Sequence, residues 1–343
     1  MKKSKKKELY ILVACVAFVL IGALGVLFTY AYTPINPYGN KDAMVLVDIP
    51  TGSSFVRVTE ILNKAGLIKS RYLFYYLALT KRAFRSIQAG EYEFSDAMTP
   101  GEVLDKLVNG KVKLYYITIP EDLTIKEIAA LLIKDKLINE KEFFALSVDR
   151  VFLGTLGIKA NSIEGYLFPN TYNFNHSMST RMIMKRMVSE FWLKVTPEMV
   201  KRSEELGFAD VNQFVTFASI VGKESGNQPE KKTISAVFHN RMKKRMPLQS
   251  DPTAVYDLED FSGKIRRSHL KRKSPYNTYI IRGLPPGPIA NPGLDSLKAA
   301  LNPEQVDYLF FVSKKDGTHF FSASLDMHNQ AIREYSKIKN KKQ

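Results

Sequence analysis

The stretch Asp210-Val-Asn-Gln-Phe-Val-Thr-Phe-Ala-Ser-Ile-Val-Gly-Lys-Glu-Ser225 decides how the second half of this chain is read. Phe214, Phe217, Ala218 and Val221 fall at i, i+3, i+4 and i+7, one apolar face of a helix. Ser225-Gly226-Asn227 and then Pro229 supply its stop. At about 100° per residue, Glu224 lies about 20° from Phe217 around the helix, between Ile220 and Val221. An acid therefore sits within the stripe that should be buried, in the last turn, where unpaired carbonyls carry partial negative charge. Apolar surroundings and a helix C-terminus both disfavour the carboxylate and raise its pKa. A carboxylic acid that keeps its proton near neutral pH is what general-acid cleavage of a glycosidic bond requires. The plainer reading is a buried glutamate paired with a cation, for which Lys223 or Lys231 would serve.

Working outward, helical patterns cover roughly 179–195, 196–206, 210–225, 229–244 and 294–301. Unusual short strings separate them: Glu164-Gly-Tyr-Leu-Phe-Pro169, Leu248-Gln-Ser-Asp-Pro252, Pro275-Tyr-Asn-Thr-Tyr279 and Gly283-Leu-Pro-Pro-Gly-Pro288. This is the pattern of a mainly helical domain with loops converging on a cleft. Within those loops Gln249, Tyr276 and Asn277 offer donors, acceptors and a stacking face. Glu164 and Tyr166 stand at the start of one string, with Glu164 able to orient substrate or brace a loop. Asp251, before a proline, reads as an Asx turn or cap with a possible place in the cleft. The Pro285–Pro288 turn reads as structural.

The preceding region has a different style. Val47-Asp-Ile-Pro50 matches Ile117-Thr-Ile-Pro120 at an offset of 70 residues, and the register continues through Leu62/Leu132, Lys64/Lys134, Leu67-Ile68/Leu137-Ile138 and Phe74/Phe144. Each copy predicts a short strand, a proline turn, an amphipathic helix and a Leu-Ile step. Chance similarity of two ordinary strand–helix units is the alternative. Gln88–Phe94 predicts a strand, and Thr99-Pro-Gly-Glu102 a helix start with a capping box. Residues 45–155 contain no catalytic constellation, so small α/β modules for binding or spacing are expected there.

The N-terminus reads as a membrane anchor. Residues 1–8 hold five lysines and one glutamate, and Leu9–Tyr32 runs 24 residues without a charge. A helix of that length spans about 36 Å, enough for a hydrocarbon core of about 30 Å. A cleaved signal peptide has a shorter apolar core and a small-residue cleavage site, for which Tyr30-Ala31-Tyr32 is a poor fit. The lysine cluster predicts a cytoplasmic N-terminus and an exported remainder. Thr33–Asn40 is a Pro/Gly/Asn linker.

Among 343 residues there are 50 Lys and Arg, 34 Asp and Glu, a net +16, and one cysteine, Cys15, inside the span. A disulfide framework and a multi-Cys metal site are therefore excluded, and five histidines without paired spacing predict no protein-ligated metal and no cofactor. Residues 241–273 carry ten basic and four acidic side chains. Export makes nucleic acid a remote partner for that patch. A solvated face is one reading, and attraction of substrate carboxylates or anionic lipid is the other. The terminal Lys337–Lys342 run reads as a mobile tail.

Ala218-Ser-Ile-Val-Gly-Lys-Glu-Ser225, Leu248-Gln-Ser-Asp-Pro-Thr253, Tyr276-Asn-Thr-Tyr279, Gly283-Leu-Pro-Pro-Gly-Pro-Ile289, Asn291-Pro-Gly293 and Ser296-Leu-Lys-Ala-Ala300 together resemble the endolytic murein transglycosylase (YceG-like) family. Asp307–Val312 and His328-Asn329 extend the likeness to the end of the chain. The resemblance implies an α+β protein: a cytoplasmic tail (1–8), a transmembrane helix (9–32), a linker (33–44), a LysM-like α/β region (45–155), and a mainly helical, lysozyme-like catalytic domain with short strands (156–343). It implies an enzyme on the outer face of a bacterial cell membrane. That enzyme cuts the MurNAc–GlcNAc β-1,4 bond within peptidoglycan strands and leaves 1,6-anhydroMurNAc ends. The family's catalytic glutamate falls on Glu224. Many members carry a further glutamate two residues earlier, where this chain has Gly222, so that first acid cannot be needed here. Glu164, Tyr166, Gln249, Asp251, Tyr276 and Asn277 are the expected substrate contacts. Peptidoglycan strands and the membrane are the expected partners, peptidoglycan synthases are left open, and nucleic acid is not expected. A muramidase hydrolysing the same bond and a non-catalytic glycan-binding scaffold are the alternatives.

Overall fold

The structure is a computed structural model that describes residues 2–36, 39, 42–225, 228–259, 261 and 263–340. It mixes helices with small two-stranded sheets, as an α+β chain should. The chain divides into two compact units, Met1–Tyr115 with Asn173–Met178, and Tyr116–Tyr172 with Ser179–Gln343. The boundary near residue 155 expected from the change of style thus falls inside the second unit.

In the first unit, helix α1 (Lys2–Tyr32) is apolar around its circumference from Leu9 onward, and an 18-residue window within Lys6–Tyr32 has a mean hydropathy of 3.0. It is long and apolar enough to cross a membrane. Its last turn is anchored: Ala31 is buried, and Tyr30 OH donates to the Ser70 carbonyl at 3.1 Å. Strand β1 (Met44–Ile49) is followed by α2 (Phe55–Lys64) and α3 (Arg71–Thr80). It pairs antiparallel with β2 (Gly90–Ser95), Met44 opposite Ser95 and Ile49 opposite Gly90. Helix α4 (Pro100–Val108) starts with the expected capping box, Thr99 and Glu102 each bonding the other's backbone N–H.

The second unit begins at the second residue of β3 (Tyr115–Thr118) and continues with α5 (Ile125–Lys134), α6 (Glu140–Ser147) and α7 (Arg150–Thr155). Its first elements repeat β1–α2–α3 closely, then diverge. The N-caps Ser54 and Thr124 are 70 residues apart, as are Gly66 and Lys136, both left-handed at φ 75° and 54°. The matching return bonds, Leu67 N–H to Leu62 and Leu137 N–H to Leu132, are 2.9 and 3.0 Å. Beyond this the register slips by one residue: Ser70 caps α3 but Asn139 caps α6. The side chain that takes the buried place of Phe74 is therefore Phe143, and the sequence identity Phe74/Phe144 is not a structural match.

After β4 (Thr171–Phe174) come α8 (Thr180–Lys194), α9 (Pro197–Glu205), α10 (Val211–Glu224), α11 (Lys231–Lys243), α12 (Arg267–Leu270) and α13 (Leu294–Leu301). Five of these lie within a residue or two of the ranges read from periodicity. Helix α10 is the core element, buried from Phe214 to Gly222 and packed on α13 and α11. The Pro285–Pro288 turn braces it, since Pro286 O accepts from Asn212 and the following Ile289 N–H donates to Ser219 Oγ at 3.1 Å. A hairpin of β5 (Phe310–Ser313) and β6 (His319–Ser322) leads into α14 (Leu325–Asn340). That helix carries residues 337–340, where a tail was expected; 341 and 342 lie outside the described residues.

Candidate active site

Asp210 caps the N-terminus of α10 through its carboxylate and the Gln213 N–H at 2.8 Å, and Ser225 closes the C-terminus. Glu224 is thus the last helical residue, as the spacing predicts. Gly226 and Asn227 of the expected stop lie outside the described residues. Glu224 is half-buried and lines a groove of about 460 Å³ with Arg241, Gln249, Asp251, Tyr279 and the β5–β6 hairpin. Its carboxyl accepts a hydrogen bond from Ser250 Oγ at 2.6 Å. Neither candidate cation holds it. Lys231 pairs with Glu121 at 3.1 Å, and Lys223 lies 3.9 Å from Glu127. The Glu224 carboxyl is pushed up to about 7. Loss of water is the main cause and the Asp251 charge adds to it, while the Ser250 hydroxyl and the Asp251 N–H pull the other way.

Gly222 fits the same geometry. A glycine inside a helix costs up to about 1 kcal/mol relative to alanine. Here a Cβ would run into the carboxylate of Asp122, which packs against the helix at this point. That carboxylate is raised to about 6 by burial, offset in part by Lys231. The space beside α10 at this position is therefore already filled by an acid from another segment.

The other expected contacts divide. Gln249 and Asp251 line the Glu224 groove; Gln249 accepts from Arg241, and Asp251 accepts from Tyr279 OH at 2.6 Å. Glu164 does not line it. It is 1% exposed and opens on a neighbouring pocket of about 640 Å³ with Lys223 and Tyr256. Its carboxylate takes the Ile125 N–H at 3.0 Å, Asn291 Nδ2 at 2.7 Å and Tyr256 OH at 2.9 Å, which makes it a brace. Tyr166 is 1% exposed and packs on Phe191 and Trp192, so it is a core residue and not a sugar contact. Asn277 is 0% exposed and its amide is spent on the carbonyls of His269, Leu270 and Arg272. Tyr276 is half-buried against Tyr256 and is not among the residues lining the Glu224 groove.

Several neighbours of Glu224 were not singled out from sequence. Ser250 and Tyr279 stood inside quoted strings, and only the fold shows which member of each string faces the acid. Asn291 is the hub beneath Glu164, its Oδ1 accepting from both Gly165 and Leu167 N–H at 2.9 Å. Among the described residues no group of three His, Cys, Asp or Glu side chains is placed to hold a metal ion.

An acid raised toward neutrality at the end of a buried helix, in an open groove with hydroxyl, amide and aromatic neighbours, suits acid–base chemistry on a large polar substrate. The chain belongs to the YceG-like family, which it matches over residues 47–334. It is 34% identical to the endolytic murein transglycosylase of Bacillus subtilis (strain 168), over 93% of this chain and 92% of that protein. Against the endolytic murein transglycosylase of Streptococcus pneumoniae serotype 2 the identity is 28% over 94% of this chain, which spans 64% of that relative's length. A crystal structure of a YceG-like protein from Listeria monocytogenes shares 32% identity with a TM-score of 0.58, over 84% of this chain and 98% of that one.

Proposed function

We propose that the chain is a membrane-anchored endolytic peptidoglycan transglycosylase in which Glu224 serves as the one general acid and base. The observation that supports this most directly is the Glu224 carboxyl itself. It faces a groove, is raised to about 7, and is bonded to a hydroxyl in place of a lysine. The named relatives supply the substrate class. Glu224 protonates the oxygen bridging MurNAc to GlcNAc as the C1–O bond breaks with oxocarbenium character. The carboxylate so formed takes the proton of the sugar's own C6 hydroxyl, whose oxygen bonds to C1 and closes the 1,6-anhydro ring. The cycle returns Glu224 to its protonated state and consumes no water. The helix Lys6–Tyr32 anchors the chain, with its lysine-rich start on the cytoplasmic side and the groove outside. The LysM-like character of residues 45–155 is part of the same reading, supported by the strand–helix repeat.

Asp251 gives one alternative its footing, because a hydrolase needs a second carboxylate and Asp251 lines the same groove. Mass spectrometry of digested glycan strands separates the readings. Anhydro ends support the transglycosylase, reducing ends the muramidase, and uncut strands the scaffold. Glu224→Gln should bind strands and release no product; anhydro product at the unmutated rate would refute the assignment.

A further inference from the structure

The groove that holds Glu224 has a charged feature that bond cleavage leaves unused. Arg241 on α11 is only 6% exposed, yet it lines the groove. Its Nε donates to the Pro247 carbonyl at 2.9 Å, Nη1 to the Leu309 carbonyl at 3.3 Å, and Nη2 to the Gln249 side-chain oxygen. All three acceptors are neutral, and among the described residues no carboxylate pairs with this guanidinium. Of its five N–H donors three are engaged, which leaves one on each terminal nitrogen. The Phe310 ring lies 5.5 Å from it. His328 stacks on the same ring at 5.2 Å, and its Nδ1 is buried with no partner among the described residues. Lys315 lines the groove from the β5–β6 turn.

The other charged groups nearby are already committed. His319 Nδ1 meets Glu230 at 2.8 Å, and Asp251 holds Tyr279 OH. A desolvated guanidinium with no counter-ion is unfavourable until an anion arrives. Carboxylate matches it best, being planar and able to accept one bond from each terminal nitrogen.

We infer that Arg241, His328 and Lys315 form a carboxylate subsite in the Glu224 groove, which holds a carboxylate carried by the muramyl unit of the bound strand. The inference rests on the peptidoglycan reading above. Two groups on such a strand carry this chemistry: the lactyl carboxylate of a muramyl residue without a peptide, and the free carboxylates of a stem peptide. The exposed basic side chains of 241–273 contribute a diffuse field, whereas Arg241 is a fixed contact.

The test uses four strand preparations: peptide-free and peptide-bearing, each with its carboxylates free or converted to amides. Each is titrated against the full chain carrying Glu224→Gln, which reads binding without cleavage, and each is digested by the unmutated chain. The free carboxylate should bind more tightly, and raise kcat/KM, by about tenfold or more. A difference in the peptide-free pair assigns the lactyl group, and one in the peptide-bearing pair assigns the stem peptide. The difference should collapse in Arg241→Gln and shrink in Lys315→Ala, an exposed position that keeps the test decisive should the first variant not fold. The His328 ring should also titrate at higher pH, by NMR, when the carboxylate form is bound. Equal binding of acid and amide in both pairs would overturn the subsite. Carboxylate-selective binding without cleavage would instead sink the transglycosylase reading and leave the subsite standing.

Discussion

Glu164 and Glu224 are both pushed up to about 7, and for the same leading reason, the loss of water around the carboxyl. They differ in what replaces that water. Glu164 is enclosed by a backbone N–H, an amide and a phenol drawn from three separate segments. Glu224 receives the Ser250 hydroxyl and the Asp251 N–H, and its remaining surface faces a groove. A raised pKa alone therefore does not mark the reactive acid. An acid held by donors from three segments is a strut, while one with a free edge on an open groove can pass a proton. The comparison is broken if exchanging the two side chains for neutral ones gives the same phenotype.

The largest effect is expected at Glu224. Glu224→Gln should lower strand cleavage by about a thousandfold or more, the range of general acid–base catalysis, with no loss in thermal midpoint. Release of anhydro sugar, read beside a melting curve, checks both halves. Glu164→Ala should do the reverse. It leaves the Ile125 N–H, Asn291 and Tyr256 without their acceptor and should cost on the order of 3 kcal/mol of stability. Urea unfolding measures this, and a midpoint equal to that of the unmutated chain would remove the strut reading.

How much of this contrast was legible in advance depended on range. The place of Glu224 in the last turn of α10 follows from a local period, so the sequence alone carried it. The same holds for α13 and for the capping box at Thr99. The donor to Glu224 is 26 residues away, and no local pattern selects Ser250 over Gln249. Tyr166 and Asn277 misled for one reason: loop polar and aromatic residues usually face solvent, but here the loops fold inward and use them as core and as a cap for three carbonyls. Arg241 was hidden differently. It counted as one charge in a basic run, and only burial sets it apart from the exposed Lys243, Lys244 and Arg245 that follow it.

Titration sharpens the comparison next. From 4.5, the ordinary glutamate value, up to about 7, the folded chain keeps a proton on Glu164 that the unfolded chain has released. The stability from this group is fully present below about 4.5 and is lost as pH rises through about 7. Glu224 has the same sign and window, so each Glu→Gln variant should flatten the dependence of unfolding free energy on pH there. Activity should separate the two. Cleavage needs the protonated Glu224, so kcat/KM should fall about tenfold per pH unit above about 7. Glu164→Gln should leave that limb where it is.

The smallest effect is expected at Ser250, and it isolates one contribution. The Ser250 hydroxyl stabilises the charged form of Glu224, against the larger push from burial. Ser250→Ala removes that support, so the pKa of Glu224 should rise and the alkaline limb of the pH–rate profile should move up by less than one unit. At pH 8 the variant should cut strands somewhat faster than the unmutated chain if proton donation limits the rate. It should cut more slowly at every pH if the hydroxyl also aims the carboxyl at the bridging oxygen. A parallel shift along the pH axis with an unchanged plateau assigns Ser250 to the energetics of the proton alone. A lowered plateau assigns it to geometry, and a profile identical to the unmutated one would mean that the bond at 2.6 Å has no part in setting the acid.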